Sequence, residues 1–223
     1  MSFLTKHKVL ITAGPTHEPI DPVRFIGNRS SGKMAYAIAE VFAEAGAVVV
    51  LVSGPVQLQA NHPNIKVVPV ETAAQMYDAC HQYYSSCQIA VLAAAVADYT
   101  VANPADKKIK KQGDNLTLEL VQTKDILMSL GQVKSNEQVL IGFALETNDA
   151  IANAKKKLLA KNLDFIVLNT LQDEGAGFRH DTNKISIINK YNKITNFELK
   201  DKQLVAQDIL NYLEEYLREM KVV

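Results

Sequence analysis

The chain has 223 residues, 48% of them apolar and few aromatic, which is enough to bury a large core and ordinary for a soluble α/β enzyme. Lys plus Arg and Asp plus Glu both number 24, so a zero net charge weighs against a general attraction for nucleic acid. The longest apolar run, Ile89 to Ala97, is too short to span a bilayer, and no basic segment leads into an apolar export signal.

Taken in order, the chain alternates strand and helix patterns, which predicts a Rossmann-like α/β fold with a mainly parallel sheet covered on both faces. Val9 to Ala13 reads as the first strand. Ser31 to Ala45 has a helical apolar period and is closed by Gly46. Val48 to Val52 and Ile65 to Val70 are the next strands, followed by a helix from about Thr72 to Tyr84. Ile89 to Ala95, almost wholly apolar, is expected to be a central strand.

Beyond Asp98 the chain turns polar from Asn103 to Gln112, with Lys107-Lys108-Ile109-Lys110-Lys111 at its centre. Leu116 to Leu120 suggests a short strand and Lys124 to Val133 a helix. Val139 to Ala144 and Phe165 to Asn169 read as buried strands around a helix from Asp149 to Lys161. Lys184 to Leu199 predicts a β-hairpin appendage, and a last helix places Leu204, Ile209, Leu213 and Leu217 roughly on one face. Without repeats or linker-like composition, residues 1–223 are expected to form one domain. Cys80 and Cys87 fit no metal spacing and are expected to be reduced and structural, and the five histidines form no ligand pair at helical spacing. A cytoplasmic protein without a structural metal is the expectation.

The richest segment is Lys8 to Met34. It ends in Gly27-Asn28-Arg29-Ser30-Ser31-Gly32-Lys33, one hydroxyl short of a P-loop because Met34 stands where Ser or Thr would hold Mg²⁺. About a dozen residues also separate it from its strand, unlike a P-loop. Glycines, serines and a lysine at a helix start are nonetheless where an anion is held. Lys33 opposes the helix dipole. With Arg24, Asn28, Arg29, Ser30 and Ser31 nearby, it points to an anion site, the alternative being a solvated lysine.

Ligands in such sheets bind beyond the carboxyl ends of the strands. Those ends carry Gly14, Gly54, Ala93 to Asp98 and Phe143 to Thr147. Small residues there would let a ligand approach the backbone, and Asp98 would hydrogen-bond a sugar or base unless it caps a turn. The Lys107–Lys111 run sits where a lid would bring a cation to a phosphate, although a solvated charge run is the ordinary explanation. Lys157 and Lys161, four apart, share a helix face that most often faces solvent.

Together, the segments ITAGPTHEPIDPVRFIGNRSSGKM, LVSGP, AAVADY, KIKK, GFALETN and KNLD resemble phosphopantothenoylcysteine synthetases, over about Lys8 to Asn169. The resemblance implies a ligase of coenzyme A synthesis, either standing alone or as the carboxyl-terminal half of a fusion with a decarboxylase. In the bacterial form, 4′-phosphopantothenate reacts with CTP to give an acyl-cytidylate and pyrophosphate. The amine of L-cysteine then displaces CMP. Mg²⁺ is the implied cofactor, bound mainly through the triphosphate, and a homodimer is implied with its site close to the subunit interface. By the same resemblance, Lys108 is the flap lysine that forms the acyl-cytidylate, Asn28 binds that intermediate, and Arg24 assists at the phosphopantothenate site. Ala93, Ala94, Asp98, Lys108, Lys124, Asp125, Ile126, Leu127, Phe143, Lys157 and Lys161 are implied nucleotide contacts, the two last facing the triphosphate. Gly14, Arg29, Ser30, Ser31, Gly32 and Lys33 are expected around the substrate anion.

Two positions depart from the family's common N-H-S-S-G-K-M-G. Arg29 replaces histidine, adding charge near the phosphate, and Ala35 replaces glycine where alanine favours the helix. VADY and KIKK resemble the CTP-using rather than the ATP-using form, but no spacing separates cytosine from adenine. A dinucleotide-dependent oxidoreductase would need G-x-G-x-x-G after the first strand and an acidic residue ending the second. Gly14-Pro15-Thr16-His17 and Ser53-Gly54-Pro55 supply neither. A non-catalytic nucleotide-binding protein remains the other rival, and it does not explain the presence of Asn28, Lys108 and Asp98 together.

Overall fold

A computed structural model describes residues 4–111, 113, 115–146, 148–170 and 180–221. Its centre is an eight-stranded sheet. From one edge, the strands are β13 (Ile194–Asn196), β12 (Ser186–Asn189), β10 (Phe165–Thr170), β9 (Val139–Glu146), β6 (Ile89–Leu92), β1 (Lys8–Ala13), β4 (Val48–Ser53) and β5 (Ile65–Pro69). The six from β10 to β5 pair in parallel, and β12 and β13 join antiparallel. The hairpin expected as an appendage is therefore the continuation of the main sheet. Its buried Ile187 and Ile188 point to opposite faces and extend both cores, so it is covered like the strands beside it.

Among the described residues, five helices cover the two faces. α1 (Lys33–Glu44) and α5 (Lys202–Lys221) pack together on one side; α2 (Ala73–Tyr84), α3 (Ile126–Val133) and α4 (Ala150–Ala160) lie on the other. β1 shows why both layers are needed. Val9, Ile11 and Ala13 enter the first core and Leu10 the second, all fully buried, so an alternating strand becomes a continuous apolar run. On α5, Ile209 and Leu213 are fully buried and Leu217 packs against them, but Leu204 is 55% exposed. Five residues before Ile209, it has rotated off the buried stripe, which Val205 joins instead. Thr72 caps α2 through a reciprocal capping box with Gln75, a T-x-x-Q signal present in the sequence.

Two irregular regions differ from expectation. The loop after β1 contains a short hairpin, β2 (His17–Pro19) with β3 (Phe25–Gly27), which packs on β7 (Tyr99–Val101) of a second hairpin closed by β8 (Leu120–Gln122). The strand expected at Leu116 to Leu120 thus begins only at Leu120, because its partner β7 ends at Val101. The strand expected to reach Ala95 stops at Leu92. Beyond it, the Ala94, Ala95 and Ala97 N–H groups donate to Thr12 Oγ1, the Gly14 carbonyl and Thr16 Oγ1, at 3.2, 2.9 and 2.9 Å. A last small pair joins β11 (Thr182–Asn183) to β14 (Lys200–Asp201).

Candidate functional site

The chain runs from β1 outward through β4 to β5, then returns through β6 to β9 and β10 on the other side. The reversal between β1 and β6 opens a crevice at the carboxyl ends of the strands, the usual ligand position in such sheets. Two cavities lie there, sharing Ala94, Ala95 and Phe143 as a common wall.

The first cavity, of about 300 Å³, is lined by Asn28, Ser30 to Ala35 and Ala93 to Ala95, and by Lys202 and Asn183 from the carboxyl-terminal part. Asn28 is fixed there by its own amide, which donates from Nδ2 to the Ala95 and Val96 carbonyls at 3.1 and 3.0 Å. Its Oδ1 remains as an acceptor. The N-cap of α1 is Gly32, whose φ of 75° suits glycine and which offers no side chain to cap the helix. Its first-turn N–H groups are thus available to a ligand in this cavity.

Lys33 does not need a ligand to explain it. Its Nζ meets Asp181 Oδ1 at 2.5 Å, and this contact holds the Asp181 carboxyl below the usual range. Gly14 and Arg29 do not line the cavity. At Gly14, with φ of 74°, an added Cβ would lie 3.1 Å from the Gly54 carbonyl oxygen, so what approaches closely is the chain's own backbone.

Lys202 and Asn183 were not legible as site residues, because each lies far along the chain in a segment without a motif. Lys202 is 7% exposed, and its ammonium donates to the His180 carbonyl. Burial, reinforced by the Lys33 charge, lowers its pKa against the pull of Asp181. Ala35, the departure from glycine, is buried in α1 and forms part of the cavity wall.

The second cavity, of about 540 Å³, gathers Ala94, Asp98, Lys124, Asp125, Ile126, Leu127, Phe143 and Lys161, eight of the eleven positions expected to contact a nucleotide. They come from the ends of β6 and β9, the start of α3 and the end of α4. Asp98 is exposed, and its carboxylate makes no hydrogen bond or ion pair among the described residues, so it is not a turn cap. Asp125 caps α3 through Met128 N–H at 2.9 Å and pairs with Lys161 Nζ at 2.8 Å. Lys124 lies over the Tyr77 ring, 4.7 Å from its centroid.

The other expected contacts fall elsewhere. Ala93 lines the first cavity. Lys157 pairs with Glu146 at 2.6 Å, outside the second cavity's lining. Lys108 lies in a third, basic cavity of about 870 Å³, together with Arg24, Lys110 and Lys111. The structure therefore brings Lys108 to Arg24, and neither of them to the first two cavities.

The profile of the DNA/pantothenate metabolism flavoprotein C-terminal domain matches residues 4–217. The chain belongs to this family. Among its relatives in the DNA/pantothenate metabolism flavoprotein family is the coenzyme A biosynthesis bifunctional protein CoaBC of Bacillus subtilis (strain 168), 48% identical over 92% of this chain and 50% of that protein. The Escherichia coli (strain K12) protein of the same name is 42% identical over 94% of this chain and 53% of its own length. A cysteine/cysteine sulfinic acid decarboxylase from an unknown prokaryotic organism is 53% identical over 93% of this chain and 58% of that protein. The chain thus spans about half the length of the curated relatives it matches. The crystal structure of the C-terminal domain of CoaBC is 42% identical, covers 97% of this chain and all of its own, and superposes with a TM-score of 0.81. A Cab2 mutant complexed with phosphopantothenate-cysteine shares the fold at a TM-score of 0.75 and 17% identity, covering 96% of this chain and 89% of its own.

Proposed function

We propose that the chain is a ligase of coenzyme A synthesis that joins 4′-phosphopantothenate to L-cysteine through an acyl-cytidylate, converting CTP to CMP and pyrophosphate. The observation that carries this reading is the pair of adjoining cavities. One assembles eight expected nucleotide positions from four separate segments, and the other holds Asn28 and the open end of α1, with Phe143 between them. A reaction that first links substrate carboxylate to nucleotide phosphate needs two such neighbouring compartments.

The proposed roles combine the resemblance with where each side chain lies. Lys124 and Lys161 supply positive charge in the nucleotide cavity, and Asp98 offers an unengaged acceptor for a sugar or base. The α1 terminus with Ser30 and Ser31 takes the substrate's anionic end. Asn28, anchored through Nδ2, presents Oδ1 to the intermediate or the cysteine amine. Arg24 and Lys108, which lie together in the third cavity, would have to move to the nucleotide to offset the charge that grows on phosphate oxygens as the carboxylate attacks the α-phosphorus. Mg²⁺ would enter with the triphosphate and neutralise its charge.

We also propose that the protein acts in the cytoplasm as a homodimer. No helix among the described residues is long and apolar enough to cross a membrane. The two hairpins beside the site expose Val23, Phe25, Tyr99, Leu120 and Val121, an apolar surface that supports self-association.

The test is turnover with 4′-phosphopantothenate, cysteine and Mg²⁺, run with CTP and separately with ATP. The expected result is CMP and pyrophosphate formed in step with the cysteine adduct. The adduct with ATP preferred would keep the ligase and replace the nucleotide. Carbon dioxide released from cysteine or its sulfinate, without adduct, would instead favour decarboxylation, the activity in the name of the 53%-identical relative.

A further inference from the structure

The Asp21 carboxylate is fully shielded, and its two oxygens have separate tasks. Oδ1 accepts the Val23 and Arg24 N–H groups, each at 2.9 Å, which closes an ordinary aspartate turn. Oδ2 does something the turn does not require. It accepts Arg24 Nε at 3.0 Å, Arg24 Nη2 at 2.5 Å and the Ile109 N–H at 3.1 Å. Arg24 Nη2 also donates to the Ile109 carbonyl at 3.0 Å. The peptide groups flanking Ile109 are therefore gripped from both sides, by the carboxylate at the nitrogen and by the guanidinium at the oxygen. A second tie, from the Ala105 N–H to the Ile20 carbonyl at 2.9 Å, fixes the entry to the segment.

We propose that Asp21 is a positioning residue whose Oδ2 latches the Lys107–Lys111 segment to Arg24, so that Lys108 and Arg24 reach the substrate as one cationic unit. Lys108 itself has no hydrogen bond or ion pair among the described residues; its backbone neighbour Ile109 is what is held. Holding the neighbour leaves the ammonium free for a phosphate while restricting where it can go. Arg24 is treated the same way: Nε and Nη2 are occupied, and Nη1 remains for a ligand. The basic cavity that these residues line with Lys110 and Lys111 suits a polyphosphate. The Arg24 guanidinium, with the backbone N–H groups, outweighs burial and holds the Asp21 carboxyl far below the usual carboxylate range.

What the unit is delivered to rests on the ligase reading; the latch itself does not. Asp21→Asn separates the two tasks, because asparagine keeps an oxygen for the turn but places an NH₂ where three N–H donors need an acceptor. Three readouts are taken: the urea midpoint, trypsin cleavage within Lys107–Lys111 followed by mass spectrometry, and pyrophosphate release at saturating substrates. The expected result is a lowered midpoint in a variant that is still folded under assay conditions, cleavage faster by about tenfold, and kcat for release lower by about tenfold with KM for CTP within about twofold. Unchanged cleavage in the folded variant overturns the latch. Faster cleavage with unchanged kcat overturns its positioning role. If even the unsubstituted protein forms no adduct, the ligase reading fails while the cleavage result still decides the latch. Should Asp21→Asn not fold, hydrogen exchange on the unsubstituted chain replaces it. The Ile109 amide is expected to exchange at least about tenfold slower than those of Lys110 and Lys111, and equal rates overturn the proposal.

Discussion

Two buried aspartates, Asp21 and Asp164, lie at opposite ends of the sheet and use the same chemistry to different effect. Asp164 precedes β10, at the amino ends of the parallel strands. It accepts from Lys134 Nζ at 2.9 Å, Lys190 Nζ at 3.1 Å, Tyr216 Oη at 3.0 Å and the Leu140 N–H at 2.9 Å. Burial pushes its carboxyl up, but the Leu140 N–H and the two ammonium groups outweigh this and hold it below the usual range. Every partner belongs to, or directly adjoins, a strand or helix of the main fold, so the network closes the core. Asp21 instead spends one oxygen on a turn and the other on a loop lined with lysines. A satisfied buried carboxylate fixes whatever donates to it: at one end that is the fold, at the other the Lys107–Lys111 segment.

The largest expected effect tests the first half of that contrast. Asp164→Ala would strand two lysines and a tyrosine hydroxyl, at a cost of roughly 3–5 kcal/mol, while turnover per folded molecule persists. An unaltered urea midpoint would show that Asp164 is no hub. Lys108→Ala should do the reverse, lowering pyrophosphate release by roughly 100-fold or more without moving the midpoint. Normal release would remove this lysine from the first half-reaction.

Asn28→Ala should slow adduct formation by about tenfold more than pyrophosphate release, since its amide bridges the first cavity to the Ala95 and Val96 backbone. Equal effects on both steps would deny it a role specific to the intermediate. Acid sharpens the comparison. Both aspartate pKa values are depressed by folding, so their contributions are complete above the unfolded value of about 3.9 and disappear as pH falls through the folded values. Melts from pH 6 to pH 2 should therefore show Asp164→Ala approaching the parent protein at the acid end. The smallest effect concerns the core between them. Cys80 is buried, its thiol pushed up to about 12, and Cys87 is shifted the same way, so native protein at pH 8 should resist iodoacetamide until urea is added. Rapid modification of folded protein would mean that this core opens.

Much of the parallel sheet was legible because its strands are short apolar runs divided by amphipathic helices, as at Val48–Ser53 and Ala73–Tyr84. Of the eight residues in the second cavity, Ala94, Asp98 and Phe143 were legible from their places at strand ends, whereas Lys124 to Leu127 and Lys161 were legible as contacts only through resemblance, since no local period marks Asp98 and Lys161 as neighbours. Lys202 and Asn183 escaped even that. So did the hairpin β2–β3, whose three-residue strands are too short to show a period.

The sequence by itself determined the layered α/β class, the core positions of strands such as β1, and the chemical character of the loop from Gly27 to Lys33. These depend on the apolar pattern along a few consecutive residues, which sets which face is buried. Tertiary structure decided the rest. It moved the terminal hairpin into the main sheet, matched Lys33 with Asp181 and Lys157 with Glu146, and brought Ile109 to Asp21 across 88 residues. The reason is physical: a charge or a backbone donor accepts any suitable partner, and only the path of the chain determines which one it meets.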